Sequence, residues 1–403
     1  MTTDTHPELE LPPVEPDIPF SAEEYRERLT RLREAMAAER IDLLLLSSPE
    51  AMCWLHGYRS RWYKTGSTTS WPPLTLTAVH VDEERFISFD VESHETLWRW
   101  SSISTEHRWL SDRHLAPNLG VVESALRDER WLRGTVGVER WSPTPNCAVA
   151  LALQEMLEGH GCTVVDATTL VRAARRIKSP AELEMVARAA AVCDIGHRRL
   201  AEVIAPGMTE LEAWGEMMLA IAKAGGEHAG LHELVWSGAG LGHGVSSTRA
   251  FVADGPVYAD PSGSVYRYHA NICRTYWLGD PPAELLRRGD TFAGAIDVLC
   301  SVAKAGTAVR DVNRALRDYY LDAGLWDLVR WVGGYELGIA FPPDWVGEFV
   351  FSAEEEEPDG VIEAGMVTNF EHLIEGISMI ETIVYGPDGG RPLSTLPQRV
   401  IAV

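Results

Sequence analysis

Apolar residues recur at helical spacing at Leu29, Leu32 and Met36, behind Ser21 and Glu24. A serine followed three residues later by a glutamate is the mark of a capping box, so a helix is predicted to begin there. Residues 41–46 read as a buried strand, with Leu43 to Leu46 uninterrupted. Residues 74–81 and 85–90 read as two more strands, split by the turn-forming Asp82, Glu83 and Glu84. A strand at 135–139, a helix at 148–157 and a strand at 162–166 follow. Strands alternating with helices predict an α/β domain that ends near residue 170.

A second pattern begins at RRIKSPAELEMVARAA (175–190). Ser179 suits an N-cap, Pro180 the first helical turn and Glu182 the reciprocal capping position, which predicts a long helix to about residue 203. Pro206 and Gly207 break it, and Thr209 with Glu212 three residues on starts another. From Leu231 the pattern is strand-like, with turns at Ser237-Gly238 and at Pro261-Ser262-Gly263. Helices are predicted at 285–303 and 309–323, and strands and loops from Trp331 onward. The domain assignment is a flexible arm at 1–20, rich in Pro, Thr and Glu, then α/β domains at 21–172 and 173–403.

The formal net charge of -23 opposes binding to nucleic-acid backbones or anionic membranes and suits a neutral or cationic small substrate. It also suits plain solubility, and the acidic run at 354–357 reads as a solvated loop. No apolar run is long enough to span a bilayer, and no basic region followed by an apolar core marks a secretory signal. The six cysteines form no C-x-x-C pair, so reduced thiols and a cytoplasmic location are expected.

Several segments, in order, resemble the prolidase, aminopeptidase P and creatinase superfamily. RRIKSPAELEMVARAA is similar to its domain junction, and PGMTELEAW (206–214) to its next helix. WSGAGLGHGVSSTR (236–249) resembles its substrate-histidine segment, and YADPSGSVYRYHANICRT (258–275) its first metal-ligand hairpin. GMVTNFEHLI (365–374) and SMIETIVYG (378–386) resemble its two glutamate strands. The resemblance implies an α/β protein with a creatinase-like N-terminal domain, a pita-bread catalytic domain and a homodimeric assembly.

It also implies a ligand set that this chain only partly keeps. The peptidases hold two divalent metals with two aspartates, a histidine and two glutamates, hard donors that activate a bridging water. Asp260 matches the first aspartate, while the second, eleven residues on, is Asn271. Tyr335 stands at the histidine, in the stretch Gly334 to Gly338. Glu371 and Glu381 match the glutamates. A further peptidase histidine, seven residues beyond Tyr335, falls on Pro342. The expectation is therefore no metal and no cofactor. A register shifted by a residue or two would leave His269 as an alternative ligand.

Creatinase works without metal, using a histidine as acid and base and carboxylates to grip a cationic group. His243 matches that histidine, seventeen residues before Asp260. The resemblance makes His243, Glu371, Glu381 and Tyr335 the catalytic candidates. Substrate-binding candidates are Asp260, Asn271, Cys273 and Arg274. A cluster of Asp260, Glu371 and Glu381 needs a proton or a cation, and Arg274 or a substrate ammonium group would serve. The competing readings are remnant carboxylates paired with Arg274 for Glu371 and Glu381, and a structural histidine for His243. Creatinase carries a guanidinium-binding glutamate where this chain has Cys273, which argues against creatine itself. Cys273 is a packing residue or, beside His243, a nucleophile. GYELGIAFPPDW (334–345) looks more like the ectoine-hydrolase type, which opens a cyclic amidine at a C–N bond.

The N-terminal half carries Trp54, Tyr58, Trp62, Tyr63 and Trp71, interleaved with Arg59, Arg61 and Lys64. In creatinase-like dimers this region completes the partner's active site. Trp62 and Tyr63 are candidates for holding a cationic group, and Arg61 and Lys64 for a substrate carboxylate. With 14 Trp in the chain, core packing is the competing explanation for each one. The function expected is metal-independent hydrolysis of a non-peptide C–N bond in a small zwitterionic substrate. The alternatives are a lyase, decarboxylase or cyclase on the same fold, and a binding protein without catalysis.

Overall fold

The computed structural model describes residues 15–63, 74–111, 114–238, 243–355 and 358–403. Lys64 and Trp71, most of the N-terminal arm, Glu356, Glu357 and the residues 239–242 that precede His243 lie outside them. The chain divides into two compact units between Ala174 and Arg175.

The first unit runs α1 (Ala22–Ala38), β1 (Leu43–Leu46), α2 (Pro49–His56), β2 (Leu76–His80), β3 (Phe86–Val91), α3 (Glu95–Ser101), β4 (His107–Leu110), α4 (Leu115–Asp128), β5 (Thr135–Val138), α5 (Cys147–Gly159), β6 (Thr163–Asp166) and α6 (Thr168–Arg176). Its strands form one sheet in the order β4-β3-β2-β1-β5-β6. β1 pairs antiparallel with β2 and parallel with β5, so every Leu of β1 is buried. Ser21 caps α1 by accepting the Glu24 amide at 3.2 Å, and the Glu24 carboxylate meets the buried Arg28 at 2.9 Å. Asp17 is tied down, with its amide on the Trp100 carbonyl at 2.7 Å and its carboxylate on Arg59 at 2.6 Å. The apolar pattern did not reveal α2, α3, α4 and α6. Pro117 and Gly120 obscure α4, yet Pro117 lies in its first turn, where no intrahelical N–H bond is lost.

The second unit opens with α7 (Pro180–Val203) and α8 (Glu210–Lys223). Both begin with the predicted capping boxes, Ser179 with Glu182 and Thr209 with Glu212, each side chain bonded to the other's amide. Such a cap is worth about 1 kcal/mol. Then come β7 (Val235–Ser237), β8 (Gly255–Ala259), β9 (Ser262–Val265), β10 (Tyr268–Asn271), β11 (Arg274–Leu278), α9 (Ala283–Val302), α10 (Val309–Asp322), β12 (Val329–Tyr335), β13 (Phe349–Ser352), β14 (Val367–Ile374), β15 (Ile377–Gly386), β16 (Gly389–Pro392) and β17 (Ile401–Ala402).

One sheet has the order β17-β11-β8-β7, another β13-β12-β14-β15-β16, and β9 pairs with β10. α9 and α10 pack on the five-stranded sheet through Phe292, Leu299, Leu316, Phe370, Met379 and Ile383, all buried. The predicted turn at 261–263 is only a junction, and the reversal falls at Tyr266 and Arg267, both with positive φ (48° and 69°). Arg267 is held there by bonds to the Ala340 and His228 carbonyls. Among the described residues no helix is long and apolar enough to cross a membrane.

Gly263 lets β9 lie directly on α7, because a Cβ there would collide with the Ala189 carbonyl and crowd Cys193. Neither can yield, since one is helix backbone and the other a buried core residue. Gly263→Ala is expected to cost about 1–3 kcal/mol, the usual penalty of overpacking, and to lower the melting temperature in calorimetry.

Candidate functional site

Two strand junctions and a β-hairpin build the candidate site. Asp260 follows β8, anchored by its amide on the Leu234 carbonyl at 3.0 Å. Asn271 ends β10. Its Nδ2 donates to Asp260 Oδ1 at 2.9 Å and to the Pro261 carbonyl at 3.3 Å. Glu371 and Asn369 lie two residues apart on β14, so the period of two aims both from one face. Asn369 Nδ2 donates to Glu371 Oε1 at 2.8 Å and to Asn271 Oδ1 at 3.3 Å. Its Oδ1 accepts the Tyr335 backbone amide at 2.9 Å. That last bond orients the Asn369 amide, and Asn369 in turn orients Asn271. Two oriented amides thus connect two carboxylates, and Asp260 Oδ2 accepts no hydrogen bond from the described residues.

Asp260 and Glu371 are partly buried. Burial pushes Asp260 up to about 8, with Glu371 adding to the rise and Asn271 opposing it. Burial pushes Glu371 up to about 7, against the pull of Asn369 and the Tyr335 hydroxyl. Near neutral pH the two behave as a coupled pair that retains a proton between them or meets a cation. Burial, together with Glu371 and Asp260, drives the Tyr335 phenol well above its ordinary value, so it stays a neutral hydroxyl. Trp345 Nε1 donates to that hydroxyl at 3.1 Å.

The expected cluster of three carboxylates is a pair. Across β14 and β15, Glu371 faces Ile380 and Phe370 faces Glu381. Side chains alternate, so Glu381 leaves on the Phe370 face, away from Glu371. There it meets Arg274 Nη2 at 2.8 Å, both side chains being fully buried. Its other oxygen accepts the Thr382 and Ser394 amides at 3.1 and 3.0 Å. Arg274 also donates to the Pro397, Cys273 and Ile380 carbonyls and to Ser394, which occupies all five of its N–H groups. Burial raises the Glu381 carboxyl, while Arg274 and the two amides lower it. The net shift is upward, so the Glu381 carboxyl lies above its ordinary value, while the guanidinium beside it keeps its proton.

None of the remaining candidates bonds to either carboxylate among the described residues. The buried Cys273 thiol donates to the Ser378 carbonyl at 3.3 Å, and burial raises it well above the ordinary thiol value. That is a packing position, as inert buried thiols are. His269 bonds the Arg267 carbonyl through Nδ1 at 2.8 Å and accepts the Gly230 amide on Nε2 at 3.0 Å, which leaves no ring nitrogen for a metal. His243 is exposed between β7 and β8, with no hydrogen-bond partner among the described residues. In the first unit Trp54 and Tyr58 are core residues and Arg59 is buried. Arg61 is exposed, Tyr63 half-buried, and Trp62 is 58% exposed and stacked on His94 at 5.3 Å. Sequence reasoning missed Asn369 and Trp345. The spacing of Asn369 from Glu371 on one strand was the available signal for the first; only folding brings Trp345 to Tyr335.

These donors do not fit a dinuclear metal centre. Asn271 presents an N–H to the Asp260 oxygen, Tyr335 supplies a neutral phenol, and Glu381 is turned away and neutralised. Among the described residues no group of three His, Cys, Asp or Glu is placed to hold a metal ion.

The two kinds of carboxylate are expected to respond to substitution in different ways. A carboxyl raised in the folded state contributes stability that is full below its unfolded pKa, about 4, and lost as pH rises through 7 and 8. Asp260→Asn and Glu371→Gln should flatten the fall in melting temperature between pH 5 and pH 8. Glu381→Gln instead strands a buried guanidinium and should cost about 3–5 kcal/mol in urea denaturation at neutral pH.

The metallopeptidase family M24 profile matches residues 184–389, and the creatinase/prolidase N-terminal domain profile matches residues 28–177. The ectoine hydrolase of Halomonas elongata is 27% identical over 96% of this chain and 99% of its own length. The creatinase of Bacillus sp. strain B-0618 is 23% identical over 88% and 84%. The X-Pro aminopeptidase from Thermotoga maritima superposes with a TM-score of 0.77 over 93% of this chain and 99% of its own, at 18% identity, a likeness of fold. With its creatinase-type N-terminal domain and a catalytic-domain match spanning half of its length, the chain belongs to metallopeptidase family M24.

Proposed function

We propose that this protein is a hydrolase that cleaves a non-peptide C–N bond in a small zwitterionic substrate without a metal ion. The observation that carries this reading is the pair of carboxylates held by two amides. Asn271 and Asn369 occupy Asp260 Oδ1 and Glu371 Oε1, and Asp260 keeps an oxygen unclaimed by the described residues. Two partly buried carboxyls that resist losing both protons attract a cation with N–H donors on one edge, such as an amidinium. The similarity to an ectoine hydrolase and a creatinase supports the same class, since both names denote action on small nitrogenous molecules.

In this reaction the cation docks against Asp260 and Glu371. His243 takes a proton from water, whose oxygen adds to the amidine carbon. The C–N bond then breaks, and His243 returns the proton to the departing nitrogen. Tyr335 keeps Glu371 oriented, and Glu381 acts only through Arg274. The proposal takes the protein as a homodimer, in which Trp62, Tyr63, Arg61 and Lys64 would meet the partner's substrate. A monomer in sedimentation would remove those four residues from it.

A panel of ectoine, creatine and X-Pro dipeptides tests this reading, with metal content measured on the same sample. Turnover of a C–N substrate but not of dipeptides is expected, undiminished by chelators. His243→Ala should lower kcat by about 100-fold or more, the usual worth of an acid–base group. Dipeptide hydrolysis that requires two tightly bound divalent metals would refute the proposal, as would full activity in His243→Ala.

A further inference from the structure

Glu210 opens α8, is fully buried, and stands outside the candidate site. One oxygen accepts both the amide and the hydroxyl of Ser237, at 2.9 and 2.8 Å. The other accepts both the amide and the hydroxyl of Ser247, at 3.0 and 2.8 Å. Four donors on one carboxylate are more than a capping role requires. They come from the two flanks of the segment that bears His243. Burial pushes the Glu210 carboxyl up, and the serine bonds outweigh it to leave it below the ordinary range, so it is a carboxylate at neutral pH.

Further bonds extend this staple. Ser246 Oγ donates to the Val235 carbonyl at 2.7 Å and accepts the Val235 amide at 3.0 Å. Arg249 Nη1 donates to the Ser237 carbonyl at 2.9 Å. Gly244, next to His243, packs so closely on the Trp236 indole that a Cβ would not fit. Trp236 stacks on Tyr258 at 5.6 Å, and Val235 pairs with Ala259, the residue before Asp260. Residues 244–249 are therefore fastened to the same β7–β8 ladder from which Asp260 emerges.

We infer that Glu210 is the positioning residue for His243, closing both flanks of its loop onto the ladder that carries Asp260. The inference rests on His243 being the acid and base of the proposed reaction. Without the clamp the histidine explores positions from which proton transfer fails, whereas cation binding at Asp260 and Glu371 persists. An error of about 1 Å in placing a reacting group costs about 100-fold in rate.

The test uses the full-length chain with Glu210→Gln, which keeps the side-chain size but sets an N–H against one serine amide. Ser247→Ala, which removes a single donor, serves as the milder variant if Glu210→Gln does not fold. Hydrogen exchange at the Ser237 and Ser247 amides should accelerate about tenfold or more, as expected for a lost charge-assisted bond. The His243 ring signals in histidine-labelled NMR should broaden or split. On whichever C–N substrate is turned over, kcat should fall about 10- to 100-fold with KM within about twofold. Glu210→Gln with His243→Ala should be no slower than His243→Ala alone. Additive losses in the double variant, or unchanged exchange and ring signals, would overturn the inference. If no C–N substrate is turned over, the proposed reaction fails by itself, and exchange and ring signals alone decide the clamp.

Discussion

In the β14–β15 hairpin Phe370, not Glu371, faces Glu381 across the strands. Everything in the site follows from that register, because alternation along a strand sends neighbouring side chains to opposite faces. One glutamate joins Asp260, and the other goes to the core side with Arg274. A pairing of Glu371 with Glu381 would crowd three carboxylates together and leave a fully buried guanidinium without its counter-ion. The observed register separates these charges and satisfies each where it lies.

On the other face, two amides bond the carboxylates that metal ions would draw together in a dinuclear centre, with a different electrostatic result. An ion draws carboxylates together and keeps them deprotonated. The Asn271 and Asn369 amides carry no net charge, so they orient Asp260 and Glu371 while leaving their repulsion and desolvation uncancelled. The outcome is a pair whose proton affinity is raised. Tyr335 fits this arrangement, being neutral, buried and fixed by Trp345.

Glu210 and Glu381 illustrate a common solution to a buried carboxylate. Each takes several donors: Glu381 an arginine and two backbone amides, Glu210 two amides and two hydroxyls. Both tie together segments far apart in sequence. Asp260 and Glu371 lack that saturation, and the contrast between saturated and unsaturated carboxylates separates the structural groups from the candidate functional ones.

The sequence by itself determined the α/β character, the two capping boxes, the long helices of the second half and the departures at Asn271 and Tyr335. These are local properties, carried by period, cap and motif spacing, and they survive without knowledge of what packs against what. It did not reveal α2, α3, α4 or α6, which are short or interrupted and owe their stability to tertiary contacts. It named Glu371 and Glu381 together because motif order says nothing of strand register. Only the folded chain decided which face each glutamate takes, that the five donors of Arg274 are consumed, that Cys273 is a buried packing residue, and that Asn369 links the two carboxylates. Each of these depends on partners distant in sequence, and no linear spacing encodes them.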